Sequence, residues 1–376
     1  MKKMLALTLV LLLGMTMVFA GGQQEAPAEE ESMVQEMEQE PFFIGLAMPE
    51  THVLRWITDG AALKENAEAM GYKAEVAFAD GDQTKQNQQI SDFITKGIDL
   101  LIVASVNTGV NAVLSEAAEE GIEIISYDRL LMDSADFNYY ITFNLEKVGE
   151  LQATSIEDAL DLKNATEPKN ITLFAGSPTD NNAYFFYDGA MKVLNPYIEK
   201  GTLNVVGPYP MTSADKENFN RIATEGWRAE VAKARMENLL SNDARDVVLD
   251  AILAPNDPVA RACIEACLND AKYDTVDKLP IVTGQDGEIP SIQYIRDGKQ
   301  HMTVFKDSRL LAKAAIQLAD SIIKGIDPNI PGTVKTMFDT NKKMVDTYLL
   351  TPILVTKDNY KEIVIDSGYY KAEEIE

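Results

Sequence analysis

A carboxylate and a guanidinium stand side by side at Asp128 and Arg129, closing the run Ile122 to Arg129, Ile-Glu-Ile-Ile-Ser-Tyr-Asp-Arg. That run is short, apolar and β-branched, which reads as a buried strand. Polar groups, almost all of them planar, recur just past one apolar run after another: Asn107, Asn144, Asn182, Asn256, Asp257, Gln285, Asp286 and Lys306. Arg55, Trp56 and Trp227 fall in stretches that read as loops. Carboxylate, carboxamide and guanidinium groups make directional hydrogen bonds in fixed planes. Such a set suits a small ligand covered in neutral hydroxyls, each donating to a carboxylate and accepting from Arg, Lys or Asn. An indole ring can cover the apolar C–H face of such a ligand. A surface ion pair is the plainer reading of Asp128–Arg129 taken alone, as an interface residue is of either tryptophan. The recurrence from strand to strand favours a site.

The elements that carry these residues alternate between short strands and helical patterns. Apolar runs at Phe42–Met48, Lys73–Phe78, Leu100–Ala104, Ile122–Tyr127 and Tyr139–Phe143 are separated by helices that stop at Gly71, Gly97 and Gly121. The pattern restarts near Glu146: helix 148–160, strand 171–175, helix 183–194, strand 203–206, a long loop to Trp227, helix 228–240, strand 251–254, a helix from Pro258, and strands 280–283 and 302–305. The helix 310–323 comes late, which suggests a return to the first half. Val345–Val355 and Ile363–Ile365 read as strands. Two β-α runs in series predict an α/β chain of two doubly wound parallel-sheet domains. Ligands of such sheets bind beyond the carboxyl ends of the strands, where the polar groups stand.

With 376 residues, 46% apolar and 25% charged, the chain has enough material for two such cores. A net charge of −25 argues against nucleic acid or an anionic membrane surface as partner. Residues 1–20 read as a secretory signal peptide: Lys2 and Lys3, an apolar run from Met4 to Phe19, then Val18-Phe19-Ala20 as a cleavage site. A retained membrane anchor is the alternative. Residues 21–41, rich in Gln, Glu, Ala and Pro, read as a disordered acidic tether. The expected location is therefore the periplasm or another exported compartment. Cys263 and Cys267 sit four apart on one helical pattern, a poor geometry for a disulfide. They read as small buried residues rather than half of a metal site.

Motifs for other chemistries are missing. There is no Gly-x-Gly-x-x-Gly, no Gly-x-x-x-x-Gly-Lys-Ser/Thr and no Gly-x-Ser-x-Gly. The two histidines, His52 and His301, are too far apart in sequence to suggest a triad or metal cluster. The expectation is a non-enzyme with no cofactor and no metal.

The chain resembles the periplasmic monosaccharide-binding proteins of ABC importers, most closely the D-xylose-binding and multiple-sugar, virulence-sensing receptors. The resemblance rests on Arg55-Trp56 with Asp59, Ile124–Leu130, Gly149–Ala153, Gly176–Ala183 (Gly-Ser-Pro-Thr-Asp-Asn-Asn-Ala), Tyr187–Leu194, Pro196-Tyr197, Ala234–Leu240, Gly284-Gln285-Asp286, Lys306 and Tyr348–Tyr360. It implies a type I periplasmic-binding-protein fold with three crossovers, switching near Glu146, Asp307 and Pro331. One lobe would comprise 42–145 with 307–330, the other 146–306 with 331–376. It implies that Arg55 and Trp56 hold and stack a sugar of the xylose, glucose or galactose type. Asp128 and Arg129 would bind hydroxyls from the first lobe. Asn182, Asn256 or Asp257, Asp286 and Lys306 would close from the second, with Trp227 on the other ring face. Asn107 joins this set from the strand-end pattern. The implied protein is a monomer that delivers sugar to an ABC permease; the alternative is presentation to a chemoreceptor or sensor kinase. The chain departs from the family pattern at Pro258 and in the long Asp215–Gly226 loop.

Overall fold

A computed structural model describes residues 41–376. The expected signal peptide, and the tether up to residue 40, lie outside the described residues. Among the described residues no helix is long and apolar enough to cross a membrane.

The first half alternates as far as β4, which β5 follows with no helix between: β1 (Phe43–Met48), α1 (Arg55–Ala69), β2 (Lys73–Phe78), α2 (Gln83–Thr95), β3 (Leu100–Val103), α3 (Asn111–Glu119), β4 (Glu123–Tyr127) and β5 (Tyr139–Phe143). Its strands run parallel in the order β2-β1-β3-β4-β5. Side chains of β1 show why both faces are apolar. Ile44, Leu46 and Met48 enter the core on one side of the sheet, and Phe43 and Ala47 enter the core on the other. Successive strand residues point to opposite faces, so a sheet covered on both sides needs an unbroken apolar strand.

After β5 the chain enters α4 (Leu145–Ala159), capped by the Asn144 side chain on Lys147 N at 3.1 Å. Then follow β6 (Lys169–Leu173), α5 (Asn182–Glu199), β7 (Leu203–Val205), α6 (Lys216–Ile222), α7 (Ala229–Ser241), β8 (Ala251–Leu253), α8 (Asp257–Leu268), β9 (Ile281–Val282), α9 (Ile289–Arg296) and β10 (Met302–Phe305). The second sheet has the order β7-β6-β8-β9, repeating the arrangement of the first. Helices α4 and α5 pack at glycine. A Cβ on Gly149 would lie 1.9 Å from the Phe186 carbonyl oxygen, and one on Gly189 2.2 Å from that of Glu146.

Asp307 caps α10 (Ser308–Lys324), which packs beside α1. The chain has therefore returned to the first half, as the late helix suggested. It then adds β11 (Val334–Asp339) and β12 (Met344–Leu350) before β13 (Ile353–Thr356). Here the structure corrects the sequence reading, which assigns 331–376 to the second lobe. Strand β12 pairs parallel with β5, and β11 pairs antiparallel with β12, so both belong to the first sheet. Strand β13 pairs with β10 beside the second sheet. The last passage between sheets thus falls between Leu350 and Ile353, not near Pro331. Apolar alternation marks β12 as a strand, but its partner is chosen by contacts some 200 positions away.

Other local differences follow from weak signals. Residues 361–366, read as strand at Ile363–Ile365, form a π-helical turn. The loop before Trp227 contains α6, whose cap is Asp215 on Asn218 N at 3.3 Å. The sequence reading assigns no element to α9, a helix of eight residues with Pro290 in its first turn. Cys263 and Cys267 are buried free thiols.

Candidate functional site

The two sheets present their strand ends to one cavity between them. Its walls are Val53, Arg55, Trp56, Asp128 and Arg129 from the first half, and Asp180, Asn182, Phe186, Trp227, Asn256, Gln285, Asp286 and Lys306 from the second. The ends of β1 and β3 flank the reversal of strand order in the first sheet, with the end of β4 one strand farther out, and those of β6 and β8 do so in the second. Such reversals leave a crevice in which no loop crosses from strand to neighbouring strand.

Arg55 opens α1 and is buried at the centre of the site. Its guanidinium lies 2.8 Å from Asp59, 3.1 Å from Asp128 and 3.7 Å from Asp286, so it joins both halves. The Tyr127 hydroxyl donates to the other oxygen of Asp59 at 3.0 Å. Lys306 reaches Asp286 at 3.1 Å. Arg129 lies 2.7 Å from Glu50 and 3.2 Å from Asp180, and donates to the Ser105 carbonyl at 3.0 Å. The Trp56 ring is 2% exposed, with the guanidinium carbons of Arg55 and Arg129 at 4.8 and 5.0 Å from its centre.

Three lining residues that are not glycine hold positive φ: Asp128 at 58°, Trp227 at 59° and Asp286 at 98°. Such angles cost on the order of 1–3 kcal/mol and persist only where the surroundings enforce them. The surroundings are visible at Asp128. Its amide donates to the Ile141 carbonyl, and its own carbonyl accepts from Tyr140, Thr142 and Asn182 at 2.7, 3.2 and 2.9 Å. Trp227 is fixed by Nε1 donating to Asp180 at 3.1 Å and by a ring packed so closely on Gly176 that a Cβ there would lie 2.0 Å away.

The charges of the lining residues balance, Arg55, Arg129 and Lys306 against Asp128, Asp180 and Asp286, while Asp59 and Glu50 behind them pair further with Arg55 and Arg129. Burial pushes the Asp128 carboxyl up, but Arg55, Lys306 and Arg129 together hold it below its ordinary value. At Asp180 burial prevails over Arg129 and the carboxyl rises. Asp128 Oδ1, Arg129 Nε, Gln285 Oε1 and Asp286 Oδ1 are buried without a well-aligned hydrogen bond to a described residue. Capacity to donate and accept therefore remains around the cavity.

Nine of the eleven residues expected from sequence line this space: Arg55, Trp56, Asp128, Arg129, Asn182, Trp227, Asn256, Asp286 and Lys306. Asn107 and Asp257 do not. The Asn107 side chain is used at home, accepting from Gly109 N at 2.8 Å, and it borders a neighbouring cavity instead. Asp257 turns beneath the Gly284 turn, accepting from Gln300 Nε2 at 2.9 Å and Glu288 N at 2.8 Å. Burial, with Glu288 adding to it, raises its pKa to about 7. Arg55 and Trp56, read as loop residues, stand on the first turn of α1. Val53, Asp180, Phe186 and Gln285 complete the wall. Asp180 lies in the Thr-Asp-Asn-Asn run that carried the resemblance, and Gln285 stands at a strand end, so both had a sequence signal. Phe186 had none, since it reads as a core position of α5.

The model of the periplasmic binding protein domain matches residues 44–327. The chain belongs to the periplasmic binding protein family. This binding protein is 42% identical over 334 residues to the multiple sugar-binding periplasmic receptor ChvE of Rhizobium radiobacter, covering 88% of this chain and 92% of that one. It is 36% identical to the D-xylose-binding periplasmic protein of Escherichia coli, with 88% and 92% covered. Among solved structures, it is similar to an ABC transporter solute binding protein from Clostridium phytofermentans with bound β-D-glucose. That match has a TM-score of 0.81 and 37% identity, covering 89% of this binding protein and 100% of the other. A carbohydrate transporter solute binding protein from Chloroflexus aurantiacus in complex with D-glucose follows, with a TM-score of 0.80, 33% identity, and 89% and 98% covered.

Proposed function

We propose that this chain captures a neutral aldopyranose, of the glucose, xylose or galactose type, between its two lobes and hands it to an ABC permease from the periplasm. The observation that carries this reading is the charge-balanced wall of planar groups. A net anionic or cationic ligand would meet three opposing charges whose partners are already committed. A polyhydroxyl ligand can instead use the remaining donor and acceptor capacity without adding charge. The glucose-bound relatives and the relative named for D-xylose support the same ligand class.

The lobes on this reading follow the sheets, 42–144 with 307–350 against 145–306 with 351–376. The hinge lies at the three passages, near Asn144, Asp307 and Leu350. Residues from both lobes touch the ligand, so binding favours closure by differential contact. A second reading, sensing, is supported by the relative named as a receptor. Growth on the bound sugar after deletion of the gene separates the two, because only loss of import removes it.

Calorimetry with a panel of aldoses tests the ligand. The expected dissociation constant is micromolar or tighter, roughly −8 kcal/mol. Heat with an amino acid or nucleoside, and none with any aldose, would overturn the reading.

A further inference from the structure

We propose that Glu50 and His52 form a strap across the cleft that positions Trp227 and Arg129, making His52 a positioning residue for retention of the ligand. The proposal rests on the reading of the cavity as a sugar site. His52 Nε2 lies 2.8 Å from Glu50 Oε2 and 3.0 Å from the carbonyl oxygen of Gly226. The other oxygen of Glu50 accepts from Arg129 Nη2 at 2.7 Å. Arg129 Nε lies 3.2 Å from Asp180 Oδ2, and the same carboxylate oxygen accepts from Trp227 Nε1 at 3.1 Å. The contacts thus form a ring that leaves the Gly226–Trp227 turn through its backbone and returns to it through the indole. It crosses between the two halves twice, at His52–Gly226 and at Arg129–Asp180.

The turn needs external support. Gly226 and Trp227 sit at φ 60° and 59°, and a left-handed tryptophan is strained. Bonds from Gly226 N to Ser177 and from Trp227 N to Thr224 tie it to its own half. His52 ties it to the opposite half. Because His52 and Gly226 belong to different lobes, this bond belongs to the closed arrangement. Its loss acts on ligand release more than on capture.

The strap is sensitive to pH, since a charged imidazolium donates more strongly to Glu50 and to the Gly226 carbonyl than the neutral Nε2–H tautomer does. His52 faces Glu50 and Asp80 from its own side, with Asp80 held by Thr51 and Lys85. Arg228, paired with Glu230, faces it from the other side. The bond to Glu50 raises the His52 pKa, burial opposes this, the Gly226 carbonyl adds to the rise, and Arg228 opposes it. Gly226 and Arg228 both reach His52 only when closed, and the Gly226 carbonyl outweighs Arg228, so across the cleft the net push is upward. Closure is accordingly favoured below the raised value and weakened as pH rises through it.

Both tryptophans of the chain line the cavity, so stopped-flow tryptophan fluorescence can follow release of D-glucose. The native protein should release it about three- to tenfold faster near pH 8 than near pH 5.5, a modest factor because His52 is partly exposed. His52→Gln keeps a donor without titrating, and should show a flat profile. His52→Ala should be flat and fast. One shared pH profile for all three proteins, or slow release from His52→Ala at low pH, would overturn the strap. If D-glucose binds the native protein not at all, the sugar reading fails for this ligand. The same comparison of release is then made with whichever aldose of the calorimetry panel binds, and if none binds, the sugar reading and the strap that rests on it both fall.

Discussion

Truncating Arg129 to alanine gives the sharpest test of how the cavity is built. Its guanidinium serves Glu50, Asp180 and the Ser105 carbonyl at once, at 2.7, 3.2 and 3.0 Å. Removing one partner of a buried, hydrogen-bonded charge pair costs binding on the order of 2–5 kcal/mol. The two carboxylates are not left equally exposed to this loss. Asp180 keeps the indole of Trp227 and the amide of Asn182, and Glu50 keeps His52. Each also regains water when the cleft opens, so part of the penalty is met only on closure. The middle of the range, about 3 kcal/mol, is therefore expected, a loss of roughly 100-fold in affinity. Trp56→Phe makes the control. Phenylalanine keeps a ring for both guanidinium groups and gives up a few tens of Å² of contact, about 1 kcal/mol or less. Calorimetry of both variants with a sugar that binds the native chain measures the difference, and circular dichroism confirms that both are folded. Equal losses in the two, or tight binding by Arg129→Ala, would show that Arg129 does not form the wall of the ligand site.

Two further outcomes are expected. Asp257 has a folded pKa raised to about 7 by burial and by Glu288, well above that of an unfolded aspartate. A raised carboxyl contributes stability at low pH that is lost as pH climbs through about 7, so the melting temperature of Asp257→Asn minus that of the native chain should rise between pH 4 and 7; a constant difference would place the titration elsewhere. Small-angle scattering should show a small fall in radius of gyration when a binding sugar is added, and an identical profile at saturation would mean that the lobes do not close about the three passages.

The alternation of strand and helix, the parallel sheets and most of the site were legible in the sequence, for a physical reason. A strand buried on both faces must be apolar throughout, so the first polar planar residue after it marks its end. In parallel sheets that end is where ligands lie. Asp128, Arg129, Asn256 and Asp286 stand within a few residues of such an end, Asn182 lies farther along its loop, and Lys306 is marked by charge rather than planarity. The rule fixes position along the chain but not direction of the side chain. It therefore could not tell Asn256 from Asp257, where the step of one residue at the helix start points the first into the cavity and buries the second beneath Gly284. Nor could it show that the Asn107 side chain caps its own turn.

Partnership between distant segments was decided by the tertiary structure alone. The pattern of β12 is that of a strand, yet its place beside β5 depends on hydrogen bonds between residues about 200 apart. The same holds for the strained turn at Trp227, whose φ reflects Gly176, Asp180 and His52 acting from elsewhere in the chain. Local sequence determines which residues can be strand, cap or ligand. Which of them meet is set by the packing of two sheets across one cleft, and no window of the sequence contains both sides.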